Sequence, residues 1–221
     1  MDKKYELLKD SYWYRVKALK DFTLITGETI KKSDVGGCVD SEDCLSQEGL
    51  CWVKDDAYVK GSVSENAIVR DNGFVGENAI VTGNAVVQAY QYITFGTVTT
   101  DILSTKDWAS ALSAELGIKP ENGKIILYKK VWSTDNPNVF KSDYNRNFLY
   151  EVGKTVEETD VDEDVMKVCG KGLHFTSLEL IRFNVGNTIL ECEIALEDII
   201  TVQIGIIRAR KCKVIGIYKE E

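Results

Sequence analysis

Between Gly61 and Gln88 the chain repeats itself every six residues. Val63, Val69, Val75, Val81 and Val87 fall six apart, each preceded two residues earlier by Gly61, Ala67, Gly73, Ala79 and Ala85, while Asn66, Asn72, Asn78 and Asn84 keep the same beat. Six is neither the 3.6-residue period of a helix nor the two-residue period of a simple strand, so each hexad has to be a unit that stacks on its neighbours. The pattern describes a short strand burying one aliphatic residue, then a corner. A corner calls for a residue that tolerates a left-handed backbone, which Asn does, beside one with almost no side chain. A left-handed parallel β-helix is expected.

The rest of the chain narrows the function classes. Its 221 residues suffice for one large or two small cores. A net charge of −8 argues against a direct nucleic-acid partner. No run approaches the length of a membrane span and the N-terminal MDKKYELLKD lacks the apolar stretch of a signal peptide, so no membrane contact and a cytoplasmic location are expected. Cys38, Cys44, Cys51, Cys169, Cys192 and Cys212 form no CxxC pair and the chain has a single histidine, which argues for reduced thiols and no metal site. The acidic run from Glu157 to Asp164 lacks the glycine and terminal glutamate of a calcium loop and reads as a solvated loop.

Residues 1–12 read as a charged lead-in with one helical turn, and 13–59 as a cap over the open end of the solenoid, with a hairpin at Thr26-Gly27. The step from Val59 to Val63 is four residues, which predicts an irregular first coil. Ile68, Phe74, Ile80 and Val86 flank the inward valines and should point outward, where apolar residues need a cover from the chain or from a second copy. Thr105 is placed to N-cap a helix that ends at Gly117. Strands are expected over 125–132, in FLYEVGKTV, and in the three β-branched runs after residue 187, with NPNVFKSDYNRN a loop. Arg208, Arg210, Lys211 and Lys213 alternate near the C-terminus, consistent with an edge strand that either protects itself or meets a phosphate. The expected fold is therefore mainly β: a short left-handed β-helix of hexapeptide repeats with an N-terminal cap in 1–89, a bridging strand and one linking α-helix in 90–122, and a C-terminal α+β or mainly β domain in 123–221.

The segment IKKSDVGGCVDSEDCLSQEGLCWVKDDAYVKG, running into the ENAIV and GNAVV hexads, resembles phage and prophage proteins with hexapeptide-like repeats, labelled polymer-forming or acetyltransferase-like by analogy. LYKKV, FLYEVGK, CGKGLHFTS and DIITVQIGIIRARKCKV resemble an uncharacterised domain that accompanies such repeats in phage genomes. The resemblance implies a homo-oligomer, with a trimer favoured. Hexapeptide acyltransferases use a histidine base, and none occurs before His174, which argues against acetyl transfer.

A second likeness lies in Gly170-Lys171-Gly172-Leu173-His174-Phe175-Thr176, which resembles the Gly-Lys-Gly-Ile-Tyr-Phe-Ala strand of poly-ADP-ribose polymerases. It implies that His174 takes a stacking position against the nicotinamide end of NAD, that Tyr128 stands where that family holds its ligand with histidine, and that Glu191 or Glu193 is the catalytic glutamate. The structural alternative makes Gly170 and Gly172 turn residues and His174 a strand histidine. The candidate ligand residues are thus Tyr128, Lys171, Gly172, His174, Thr176, Arg208 and Arg210. The leading functional expectation is a non-catalytic, cofactor-free binding protein acting in the host cytoplasm, an antagonist of antiviral defence that sequesters a small nucleotide-like signal or blocks a host protein. An NAD-binding ADP-ribosyltransferase-like enzyme and a structural polymer-forming protein are the alternatives.

Overall fold

A computed structural model describes residues 3–219, which divide into two compact units at Ile118 and Lys119. Both are mainly β. The first is a β-solenoid of about three turns, built from Trp52 onward of strands of two or three residues and preceded by longer strands at its N-terminal end. Its strands are β1 (Tyr5–Asp10), β2 (Trp13–Ala18), β3 (Phe22–Thr23), β4 (Thr29–Ile30), β5 (Val35–Val39), β6 (Trp52–Val53), β7 (Tyr58–Val59), β8 (Ser62–Val63), β9 (Ile68–Val69), β10 (Phe74–Val75), β11 (Ala79–Val81), β12 (Val86–Val87), β13 (Tyr92–Ile93) and β14 (Gly96–Val98). They stack as three parallel faces, β5-β7-β10-β13, β8-β11-β14 and β6-β9-β12.

The inward row of each face is aliphatic and fully sequestered. Val39, Val59, Val75 and Ile93 pair in one face, Val63, Val81 and Val98 in another, and Val53, Val69 and Val87 in the third. Partners in the regular coils stand 18 residues apart, as Val63 with Val81 and Val69 with Val87 do. Across the Val59–Val63 step the spacing falls to 16, as in Tyr58 with Phe74 and Trp52 with Ile68. That shortened corner is where Gly61 sits, and a Cβ there would overlap the carbonyl oxygens of Gly76 and Ala79.

The corners are built differently from the sequence expectation. Positive φ falls on none of the repeat asparagines but on the residue before three of them, Glu65 (56°), Asp71 (56°) and Gly83 (65°), and on Asp55 (55°), which precedes Asp56. The reason lies in the next coil. Glu65 Oε2 accepts from Gly83 N at 2.8 Å, Asp55 Oδ2 from Asp71 N at 3.2 Å, and Asp71 Oδ2 from Ala89 N at 3.0 Å. At three of these corners a carboxylate thus satisfies the N–H of the equivalent corner one coil on, a bond that offsets the strain of a non-glycine there. The asparagines instead ladder with each other, Asn66 Nδ2 donating to Asn84 Oδ1 at 3.1 Å.

The N-terminal residues form strand, not helix. β1 and β2 pair antiparallel, and β2 pairs antiparallel with β5, so one face grows into a six-stranded sheet ordered β1-β2-β5-β7-β10-β13. Lys4 is buried at this end, its Nζ donating to the carbonyls of Cys51 (3.0 Å) and Glu48 (3.2 Å). Burial lowers its pKa, and these carbonyls compensate the cation. At the other end two helices pack, α1 (Ile102–Thr105) and α2 (Trp108–Leu116). The helix start shifts from the expected Thr105 because Asp101 and Asp107 are the capping residues, accepting from Ser104 N and Ser110 N. Gly117 closes α2 in the left-handed region as expected, and the Ala114 carbonyl accepts from Thr94 N (2.8 Å) of the last rung.

Of the four outward apolar residues, Ile68 and Val86 are buried within the chain, in a row with Trp52, whose ring Phe22 meets edge-on at 5.3 Å. Phe74 is partly covered by its ring neighbours, which leaves Ile80, 46% exposed, as the one open aliphatic residue of the set.

The second unit carries β15 (Lys124–Ser133), β16 (Val139–Lys141), β17 (Leu149–Glu151), β18 (Thr155–Glu157), β19 (Leu173–Phe175), β20 (Thr188–Ala195), β21 (Ile199–Gln203), β22 (Ile206–Ala209) and β23 (Lys211–Ile217). They form a six-stranded sheet, β17-β16-β15-β20-β23-β18, and a three-stranded sheet, β19-β22-β21. The expected single strand FLYEVGKTV is two strands, broken at Gly153 (φ 83°), and the expected loop before it contains β16. The basic C-terminal run is not an edge: β22 is the central strand of its sheet and β23 lies between β20 and β18. The hairpin joining β21 to β22 turns at Ile204-Gly205, both with positive φ (48° and 70°), the backbone of a type I′ turn with a β-branched residue in its first position.

Candidate functional site

The segment that resembles an NAD-holding strand folds around an internal cation instead. Arg208 is fully buried, and its guanidinium donates to the carbonyls of Asp164 (2.7 Å) and Lys167 (3.1 Å). Gly170 and Gly172 are required by this side chain. A Cβ on Gly170 would overlap Nη1 of Arg208, and one on Gly172 would lie 2.9 Å from its Cγ, at φ +144°. The acidic run therefore wraps a buried arginine with its main chain, while its carboxylates meet surface cations, Asp162 with Lys167 at 3.0 Å and Asp160 with Lys171 at 2.5 Å. Arg210 pairs with Glu163. No group of three or more metal-ligating side chains gathers among the described residues.

His174 pairs in register with Arg208 across β19 and β22. Its pKa is lowered to about 4 by burial first and then by the positive charges of Lys129 and Arg208, and its Nε2 is enclosed without a hydrogen-bond partner. The glutamates expected beside it lie elsewhere. On β20 the buried residues are Leu190, Cys192 and Ile194, so Glu191 and Glu193 alternate onto the other face, Glu191 opposite Tyr128 and Glu193 bonded to Lys124 at 2.9 Å. Tyr128 and Thr176 exchange main-chain hydrogen bonds (2.9 and 3.1 Å), and the Thr176 hydroxyl donates to Gly205 O at 2.7 Å. Gly172, His174 and Arg208 thus come together, while Lys171 and Arg210 point to exposed acids. Sequence reasoning missed Lys129, whose ammonium lies over the rings of Tyr150 (5.3 Å) and Phe175 (5.6 Å), donates to His174 O at 3.0 Å, and is held by burial at a pKa of about 8. A lysine inside a β run carries no local signal for this.

The other concentration of chemistry is on the first unit, on the outer face of its six-stranded sheet. The register aligns Leu8, Arg15, Cys38, Tyr58, Phe74 and Tyr92 in one row across all six strands. Because the adjacent row (Val39, Val59, Val75, Ile93) points inward, this one points out. Trp13 joins it. Ring centroids run 5.7 Å from Trp13 to Tyr58, 5.9 Å on to Phe74 and 4.9 Å on to Tyr92, tilted by 53°, 56° and 34°. Trp13 is 40% and Tyr92 37% exposed, so the row is a solvent-facing platform and not a core. Asp40 accepts from the Tyr58 hydroxyl, and Arg15 lies between Asp10 (3.8 Å) and Asp56 (3.9 Å). Lys60 sits over the Tyr58 ring at 5.7 Å. The row could have been found by placing the residue before each inward valine, Tyr58 before Val59 and Phe74 before Val75, on a common face.

Comparison with family models, curated proteins and solved structures finds no match for this chain.

Proposed function

We propose that this chain is a non-catalytic binding protein, of the phage or prophage type that its hexads resemble, and that it engages its partner through the outer face of the six-stranded sheet. The observation that supports this reading is the row of rings Trp13, Tyr58, Phe74 and Tyr92: Tyr58, Phe74 and Tyr92 sit on consecutive rungs of the solenoid, and Trp13, from β2, packs against Tyr58. Rigid aromatic side chains offer contact area at low entropic cost, and exposed ones in series mark recognition surfaces. In this reading the solenoid is left-handed and of hexapeptide type, supported by its six-residue period. It serves as a scaffold, and the fold brings no chemistry of its own.

The reading also draws on the second unit, where the His174 environment is cationic and the glycines fit Arg208, not a nicotinamide. Three carboxylates, Asp10, Asp40 and Asp56, outnumber the two cations along the ring row, which favours a partner without phosphate over a nucleotide signal. The motive for a trimer shrinks to Ile80, since Ile68 and Val86 are covered inside the chain. Incubation of the purified protein with NAD, and separately with an acyl donor, tests the non-catalytic half. No release of nicotinamide or free thiol above the protein-free control is expected; turnover abolished by Glu193→Ala would overturn it.

A further inference from the structure

We infer that the polar face of the sheet β19-β22-β21 is a phosphate-binding site that residues 158–171 of the same chain keep closed. The inference concerns the second unit alone and stands apart from the reading of the ring row.

The sheet is two-faced. Phe175, Ile207 and Val202 align across its three strands and are buried, as a sheet packed on a core requires. The next row, His174, Arg208 and Thr201, is polar, and Gln203 stands on the same side two residues along from Thr201. A polar face ordinarily meets water, yet Gln203 and Arg208 are 0% and Thr201 is 1% exposed.

Their cover is an irregular strap. Residues 158–171 hold no helix or strand, and from Glu157 to Gly172 no residue is buried. The strap is held by its main chain: Thr201 Oγ1 and Gln203 Nε2 donate to Val165 O (2.7 and 2.6 Å), and Arg208 Nη2 donates to Asp164 O and Lys167 O (2.7 and 3.1 Å). Opening exchanges these bonds for bonds to water and exposes polar side chains, so little free energy holds the strap closed.

The donor set names the ligand. A guanidinium, a carboxamide and a hydroxyl are spent on uncharged carbonyl oxygens, and Arg208 Nε is enclosed without a partner. Phosphate oxygens make charge-assisted bonds to such groups, stronger than those to neutral carbonyls. The fork of Arg208 takes two oxygens, and the Thr201–Gln203 pair, joined at 2.9 Å, takes a third, which a phosphate has and a carboxylate lacks. Asp160, Asp162 and Glu163 of the strap pair with Lys171, Lys167 and Arg210, so their charges oppose an anion while the strap is closed and leave with it when it opens. Closure and phosphate binding are mutually exclusive.

Hydrogen exchange of the full chain, read by mass spectrometry over residues 158–171, tests this in inorganic phosphate against sodium chloride of equal ionic strength, with acetate as the carboxylate probe. Only the open form binds, so at ten times the dissociation constant the exchange of the strap is expected to rise about tenfold. Peptides from β15 and β20 are expected to keep their rates. Arg208→Lys keeps the charge without the fork and is expected to lose the response. Thr201→Val, isosteric and one donor poorer, is expected to exchange faster without phosphate and to respond less to it, which reads the same site should Arg208→Lys not fold. Strap exchange equal in phosphate and chloride throughout a titration to tens of millimolar, acceleration spread over the whole unit, or a response undiminished in the folded variants overturns the proposal. An equal response to acetate overturns phosphate as the ligand. Each of these outcomes leaves the ring-row reading standing.

Discussion

Gly170 leaves open the space that the guanidinium of Arg208 occupies, and this pair decides how the GKGLHFT segment is understood. The glycine spacing of a ligand-holding strand arises here from an internal ligand, an arginine of the same chain, whose charge is spread over the carbonyls of Asp164 and Lys167. Substitution of Gly170 or Gly172 by alanine is expected to destabilise the second unit by about 2–4 kcal/mol, from overpacking against a fully buried side chain and, at Gly172, from an unfavourable φ. Urea unfolding followed by circular dichroism measures it. A loss below the error of the measurement would mean that Arg208 moves freely out of the way.

Ile204 has φ 48° in the first position of the β21–β22 turn and is 41% exposed, so it contributes strain with little burial in return. Ile204→Asn is expected to stabilise by about 1 kcal/mol and to raise Tm by a few degrees. A decrease in Tm would show that its side chain makes contacts worth more than the strain.

The corner carboxylates predict a graded response in the solenoid. Asp71→Ala removes the acceptor for Ala89 N and is expected to cost about 1 kcal/mol, whereas Asp71→Asn, which keeps an acceptor oxygen, should cost less than half of that. Equal effects of the two variants would remove the coil-to-coil bond from the account.

His174 makes the second unit acid-sensitive. Its folded pKa of about 4 lies below the unfolded value of 6.5, so the unfolded chain takes up a proton first as pH falls. Stability is full above the unfolded value and declines from about pH 6.5 towards pH 4. The full shift corresponds to roughly 3 kcal/mol, and about 1–2 kcal/mol after allowance for partial exposure. Unfolding midpoints across this range are expected to fall more steeply for the wild type than for His174→Phe. Parallel profiles would exclude His174 as the sensor.

The sequence was most legible where one spacing controls the outcome. Valines six apart have to stack, and the inward positions from Val63 to Val87 follow from that. The four-residue step at Val59 correctly announced an irregular coil, realised as a 16-residue register. Local chemistry misled where the deciding partner lay one coil away or on another strand. Asn is the better left-handed residue in isolation, yet Glu65 and Asp71 take that conformation because their carboxylates reach the next corner. The glycines of GKG signal a close approach without saying what approaches. The ring row was hidden because Trp13 joins through antiparallel pairing in a segment read as a cap, and pairing partners cannot be read from a strand alone.

The most direct test is hydroxyl-radical footprinting of the purified protein, alone and in a cell extract, with oxidation of Trp13, Tyr58, Phe74 and Tyr92 quantified by mass spectrometry. The account predicts that all four rings are oxidised in the isolated chain, Trp13 and Tyr92 fastest, and that in extract the four are protected together while Tyr144, in the second unit and fully exposed, is unchanged. Rings that stay as reactive in extract as in isolation, with protection appearing at other residues, would contradict the claim that this face is where the protein binds.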